Sequence, residues 1–172
     1  LEFPNSVYVD GNYAYVTSYY GDALDIINIE TPSSPSHVGS ISHEDGGAML
    51  DGPTSVYVDG SYAYVTSENN DALQIIDIQD KASPSNAATI QHADGGPLLK
   101  QPKDVFVYGG NAYVASSGSD ALEIIDVSNP SSPSHIERVR NYSANQDERH
   151  KHMTWEEEVD KLWTAGLLHD LD

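Results

Sequence analysis

Val7-Tyr8-Val9-Asp10-Gly11-Asn12-Tyr13-Ala14-Tyr15-Val16-Thr17-Ser18 returns as Val56-Tyr57-Val58-Asp59-Gly60-Ser61-Tyr62-Ala63-Tyr64-Val65-Thr66-Ser67, and again, more loosely, as Val105-Phe106-Val107-Tyr108-Gly109-Gly110-Asn111-Ala112-Tyr113-Val114-Ala115-Ser116. The spacing is 49 residues both times. A fixed period of that length, written in β-branched and aromatic residues, marks a repeat architecture in which no unit buries its core alone and neighbours must stack. Outward from the first block, strands are predicted at Ser6–Asp10, Tyr13–Ser18, Leu24–Ile29 and His37–Ser42. The first two are joined by Asp10-Gly11-Asn12, a tight turn in which glycine supplies the positive φ that β-branched neighbours resist. The third runs into Glu30-Thr31-Pro32-Ser33-Ser34-Pro35-Ser36, where two prolines forbid helix and ladder alike. Four consecutive antiparallel strands make a small meander.

The third strand indicates how the meanders stack. Leu24-Asp25-Ile26-Ile27-Asn28-Ile29 and its copies Leu73–Ile78 and Leu122–Val127 place aliphatics on both faces of the pleat, whereas a half-wet strand alternates. A strand that is apolar on both sides must lie between two sheets, as in meanders stacked around an axis. The predicted fold is all-β: three four-stranded antiparallel propeller blades over 1–49, 50–98 and 99–142, followed by a linker and an amphipathic helix over 143–172. A β-trefoil is the alternative, because it too is built from three four-stranded repeats.

The pattern V-Y-V-x-G-x-Y-A-Y-V-x-S, then D-A-L-x-I-I-D-I, then S-x-P-S-x-x-x-x-I resembles the LVIVD-repeat family of β-propellers over about residues 4 to 140. The resemblance implies the propeller fold and, since the family is known mainly from secreted or surface-attached bacterial and archaeal proteins, an extracellular or cell-surface location. It implies no particular activity.

Closed propellers have roughly four to eight blades, so three leave two apolar blade faces open. The simplest closure is a homodimer forming a six-bladed ring, with truncation of a larger propeller as the alternative. The chain starts at Leu1 without an initiator Met or a signal-type segment, so the expectation is either a processed product or, preferred, an excised piece of something longer.

Eight basic residues stand against 27 acidic ones, for a net charge of −19, and no Lys or Arg precedes Lys81. Nucleic acid and anionic membrane surfaces are therefore poor partners, because a phosphate backbone needs a basic stripe. No apolar run is long enough to span a bilayer. The absence of cysteine excludes disulfides and thiolate chemistry. Cations, neutral glycans and basic protein patches remain as ligands.

Alternate connections of a meander lie at the same end of the blade. The second-to-third loops, carrying Asp22, Asp71 and Asp120, should thus share a face with the linkers His43-Glu44-Asp45-Gly46-Gly47 and His92-Ala93-Asp94-Gly95-Gly96. Asp22, Asp71, Asp120, His43, Asp45, His92 and Asp94 are the candidate ligand-binding residues, for a glycan or for Ca²⁺; no other cofactor is expected. The competing reading has each aspartate accepting backbone N–H bonds within its own turn. Tyr19 and Tyr20 fall in the same zone.

Beyond Tyr142 the period dissolves. Thr154 and Glu157 form a capping box, and Trp155, Val159, Leu162 and Trp163 lie on one helical stripe, which predicts a helix docked by that face. Leu162-Trp163-Thr164-Ala165-Gly166-Leu167-Leu168-His169-Asp170 resembles the metal-binding helix of HD-domain phosphohydrolases, whose His-Asp doublet would be His169 and Asp170. The further ligands that this resemblance calls for are missing. Phosphate loops, a G-x-S-x-G elbow and an H-E-x-x-H helix are absent, so no enzyme is expected. The leading expectation is a non-catalytic module for surface binding, adhesion or protein assembly, followed by a self-assembling scaffold and, distantly, a hydrolase fragment.

Overall fold

The computed structural model describes residues 1–93 and 96–140. Asp94 and the expected tail helix, with Trp155, Val159, Leu162, Trp163, His169 and Asp170, lie outside the described residues. Twelve strands form three antiparallel meanders. Blade 1 is β1 (Pro4–Asp10), β2 (Tyr13–Ser18), β3 (Ala23–Asn28) and β4 (Ser36–Ser42). Blade 2 is β5 (Pro53–Asp59), β6 (Tyr62–Ser67), β7 (Ala72–Asp77) and β8 (Ser85–Gln91). Blade 3 is β9 (Pro102–Tyr108), β10 (Asn111–Ser116), β11 (Ala121–Asp126) and β12 (Ser134–Arg140). Within each sheet the strands follow chain order, and β1, β5 and β9 lie side by side along the stack. These are propeller blades; the trefoil alternative falls, because a trefoil does not stack separate meanders.

The local chemistry repeats with the period. Gly11, Gly60 and Gly109 turn the first hairpin of each blade at φ 54°, 59° and 59°. At the end of the third strand the side chains of Asn28, Asp77 and Asp126 each accept the N–H two residues on, at 2.8 Å, closing a side-chain turn that ends the ladder. At Asp126 the hydroxyl of Ser128 adds a second donor, and both bonds hold its carboxyl below the usual range. Each blade also carries a register shift near the start of its first strand and another inside its third-to-fourth pairing. The first shift has a use: Asn5 donates to the Pro53 carbonyl and Thr54 to the Pro102 carbonyl, both at 2.9 Å, so the irregular residue ties one blade to the next.

The hydrophobic cores are not inside the blades but between them. One joins Tyr15, Leu24, Ile26 and Ile41 of blade 1 to Val56, Val58, Ala63, Val65, Ile76 and Ile78 of blade 2. The other joins Tyr64, Leu73 and Ile75 of blade 2 to Val105, Val107, Ala112, Val114, Ile125 and Val127 of blade 3. Every blade thus has a leading face, turned toward the preceding blade, and a trailing face, turned toward the following one. The doubly apolar β7, with both neighbours in place, has its first five residues buried. The matching β11, with one neighbour, alternates.

Candidate functional site

The second-to-third loops and the blade linkers do meet at one end, and the repeated aspartates are where they meet. Asp22 and Asp71 adopt left-handed backbone conformations, φ 48° and 52°, which aspartate tolerates better than most residues. The Asp22 carbonyl accepts from the His43 N–H and the Asp71 carbonyl from the His92 N–H, each at 2.8 Å. The carboxylates reach into the next blade. Asp22 Oδ1 accepts the Gly52 N–H at 2.9 Å, and Asp71 Oδ1 accepts the Gln101 N–H at 2.8 Å. Each aspartate is therefore a lock between blades rather than a brace within its own turn. Asp120 has the same backbone conformation, φ 50°, is exposed, and has no donor among the described residues.

The linker histidine and acid are also engaged. His43 Nδ1 accepts the Leu50 N–H at 3.1 Å, which puts the proton of the neutral ring on Nε2. Asp45 Oδ2 accepts the Ser42 N–H at 2.8 Å. His92 Nδ1 is buried and has no hydrogen-bond partner among the described residues. Among the described residues no three His, Asp or Glu side chains converge as a metal-binding group.

Two further lines of side chains cross the blades. Tyr8, Tyr57 and Phe106, one from each first strand, form an aromatic ladder with ring centroids 4.8 Å apart at both steps. Burial, reinforced by the neighbouring Tyr57 hydroxyl, raises the Tyr8 phenol above its ordinary value. At the loop end, Tyr19 Oη lies 3.5 Å from Glu68 Oε2, and Glu68 Oε1 lies 2.5 Å from Lys103 Nζ, so that blades 1, 2 and 3 share one polar chain. The Tyr19 phenol is raised by burial first and by the Glu68 carboxylate next.

A repeated polar position inside the third strand went unread in the sequence. Asp25, Gln74 and Glu123 occupy it, and each faces a residue of the fourth strand: His37 at 3.3 Å, Asn86, and His135 at 2.8 Å. Glu123 is fully buried. In blade 2 the linker from blade 1 closes over this position, with the Met49 N–H donating to Gln74 Oε1 at 2.9 Å. In blade 1 the same position opens onto a cleft of about 400 Å³, lined by Ser18, Asp25, Ser40 and Ser42 among others. The available signal was a polar residue that interrupts an otherwise apolar strand at the same point in all three copies.

The LVIVD-repeat model matches residues 5–42, 53–90 and 101–141, more than half of the sequence. This chain belongs to the LVIVD-repeat family. No curated protein matches it. Solved structures with the same fold include a protein of unknown function from Desulfotomaculum acetoxidans (18% identity, TM-score 0.60, covering 79% of this chain and 42% of that one). A protein from Lactobacillus plantarum is 14% identical with TM-score 0.67, covering 84% and 44%. The periplasmic gluconolactonase of Pseudomonas aeruginosa is 14% identical with TM-score 0.66, covering 80% and 39%. Identities this low speak for the fold alone, and the LVIVD chain spans about two fifths of the length of these proteins.

Proposed function

We propose that this LVIVD-repeat chain is a non-catalytic propeller module for surface binding or protein assembly, working outside the cell or at its surface. One observation carries the reading: Asp22, Asp71, His43 and Asp45 each accept a backbone N–H through one side-chain atom, while apolar side chains stand open at both ends of the stack. On the leading face of blade 1 these are Val7 and Val9; on the trailing face of blade 3 they are Phe106, Leu122 and Val139. Exposed apolar surface of that extent marks a protein-binding face. The location follows from the family's usual setting.

The reading is tested by light scattering of the full chain together with an apolar fluorescent dye. The expected result is self-association, with dye bound on dilution as the faces are exposed. A folded monomer at low micromolar concentration that binds no dye overturns it.

A further inference from the structure

We infer that the leading face of blade 1 and the trailing face of blade 3 are the two halves of one more blade junction, completed by a second copy of this chain packed head to tail. This rests on the assembly reading above and supplies its partner and its register.

The two junctions inside the chain are built from the same parts. In each, a left-handed aspartate of the earlier blade accepts an N–H from a residue of the later blade whose φ is also positive: Gly52 at 61° and Gln101 at 49°. In each, two rings meet at 4.8 Å, and a pair of valines is buried against the earlier blade. Both ends of the chain carry an unused half of this set. Phe3, one period before Gly52, has φ 54°, and its N–H has no acceptor among the described residues. Asp120, one period after Asp71, has the same positive φ, 50°, and is exposed. Phe106 extends the ladder to the trailing face, and Tyr8 begins it at the other end.

Only the head-to-tail arrangement pairs these halves. Two trailing faces would bring Asp120 against Asp120, acceptor on acceptor and charge on like charge, and two leading faces would bring N–H against N–H. A heterologous contact of this kind either closes into a ring or runs on as a filament. Propellers close with roughly four to eight blades, and for the three described blades by themselves the only multiple in that span is six, so two copies of this 172-residue chain make the ring.

The test uses two charge substitutions at exposed positions, Val7→Asp on the leading face and Leu122→Asp on the trailing face, in the full chain. By light scattering the unaltered protein should show twice the 18.7 kDa chain mass. Each variant alone should fall to the single-chain mass with its strand circular dichroism intact. Mixed in equal amounts, they should regain the doubled mass at higher concentration through the one junction whose two halves are both unaltered. Asp120→Ala alone removes one charged hydrogen bond from each of the two junctions and should weaken the dimer about a hundredfold, tenfold for each bond. A doubled mass that survives in either single variant overturns the head-to-tail pairing and leaves the assembly reading standing, as does failure of the mixture to recover or growth beyond two copies. A folded, dye-silent monomer of the unaltered chain overturns both.

Discussion

Val58 and Val9 occupy the same place in successive repeats, at the same point of the first strand, each paired across the sheet with an alanine, Ala63 and Ala14. Val58 is 5% exposed and Val9 is 56% exposed. Nothing in the blade to which each belongs accounts for the gap. Val58 lies against blade 1, and Val9 lies against no other blade among the described residues. Burial here is a property of the neighbour, so the middle blade and the outer faces of the terminal blades, nearly identical in sequence, should respond differently to the same substitution. Burying a valine-sized side chain contributes ~1.5–3 kcal/mol, and a blade without a neighbour forgoes that contribution several times over.

The largest contrast is expected in the third strand. Ile76→Ala, fully buried between blades 1 and 2, should lower the unfolding free energy by ~2–5 kcal/mol in a denaturant titration. Ile27→Ala, at the same position on the half-covered leading face of blade 1, should cost less than half as much in protein dilute enough to keep chains single. Equal losses would break the comparison.

The blade locks come next. Removing the Asp71 carboxylate strands the Gln101 N–H, and Asp71→Ala should cost ~1–3 kcal/mol. Asp120→Ala should change the stability of the single chain by no more than ~0.5 kcal/mol, as expected for an exposed site without a hydrogen-bond partner among the described residues. A large effect at Asp120 in dilute protein would show that it has a partner within one chain.

Tyrosine ionisation sharpens the same picture. Burial pushes the phenols of Tyr15 and Tyr64, on the covered trailing faces of blades 1 and 2, up to about 12 from an ordinary value of 10.0. A folded-state value above the unfolded one means that the native chain holds these protons longer. The stability this reflects is complete below pH 10, and it is lost as the pH rises toward about 12. Alkaline unfolding should therefore begin above pH 10, and Tyr15→Phe with Tyr64→Phe should flatten the slope in that window. An unchanged slope would place the alkaline sensitivity elsewhere.

The smallest effect expected is that of calcium. With Asp22, Asp71 and Asp45 accepting backbone N–H groups, millimolar Ca²⁺ should leave the melting temperature unchanged, since only a ligand that prefers the native state raises it. A rise would return these carboxylates to the role of cation ligands.

The fold was largely legible because its determinants are local and repeat three times. The strands, the glycine turns and the doubly apolar third strand can each be read within about ten residues of chain. The junction chemistry was less so. Asp22 and Gly52 are 30 residues apart, and nothing near Asp22 says that its carboxylate is spent on the next blade rather than on a ligand. The shared face of the loops followed from strand alternation, whereas the pairings of Asp25 with His37 and Glu123 with His135 depend on a register shift that no local pattern announces. Tyr8, Tyr57 and Phe106 could be read as packing residues, but their meeting as a continuous ladder depends on how first strands of different blades line up.

The claim that burial comes from the neighbouring blade is tested most directly by the pair with which the comparison began. Unfolding free energies of Val58→Ala and Val9→Ala should be measured at a concentration low enough to keep chains single, then again at high concentration. Val58→Ala should lose ~1.5–3 kcal/mol in both regimes, and Val9→Ala almost nothing when dilute, with a penalty that appears only as chains associate. Equal penalties at both valines in dilute protein would contradict it.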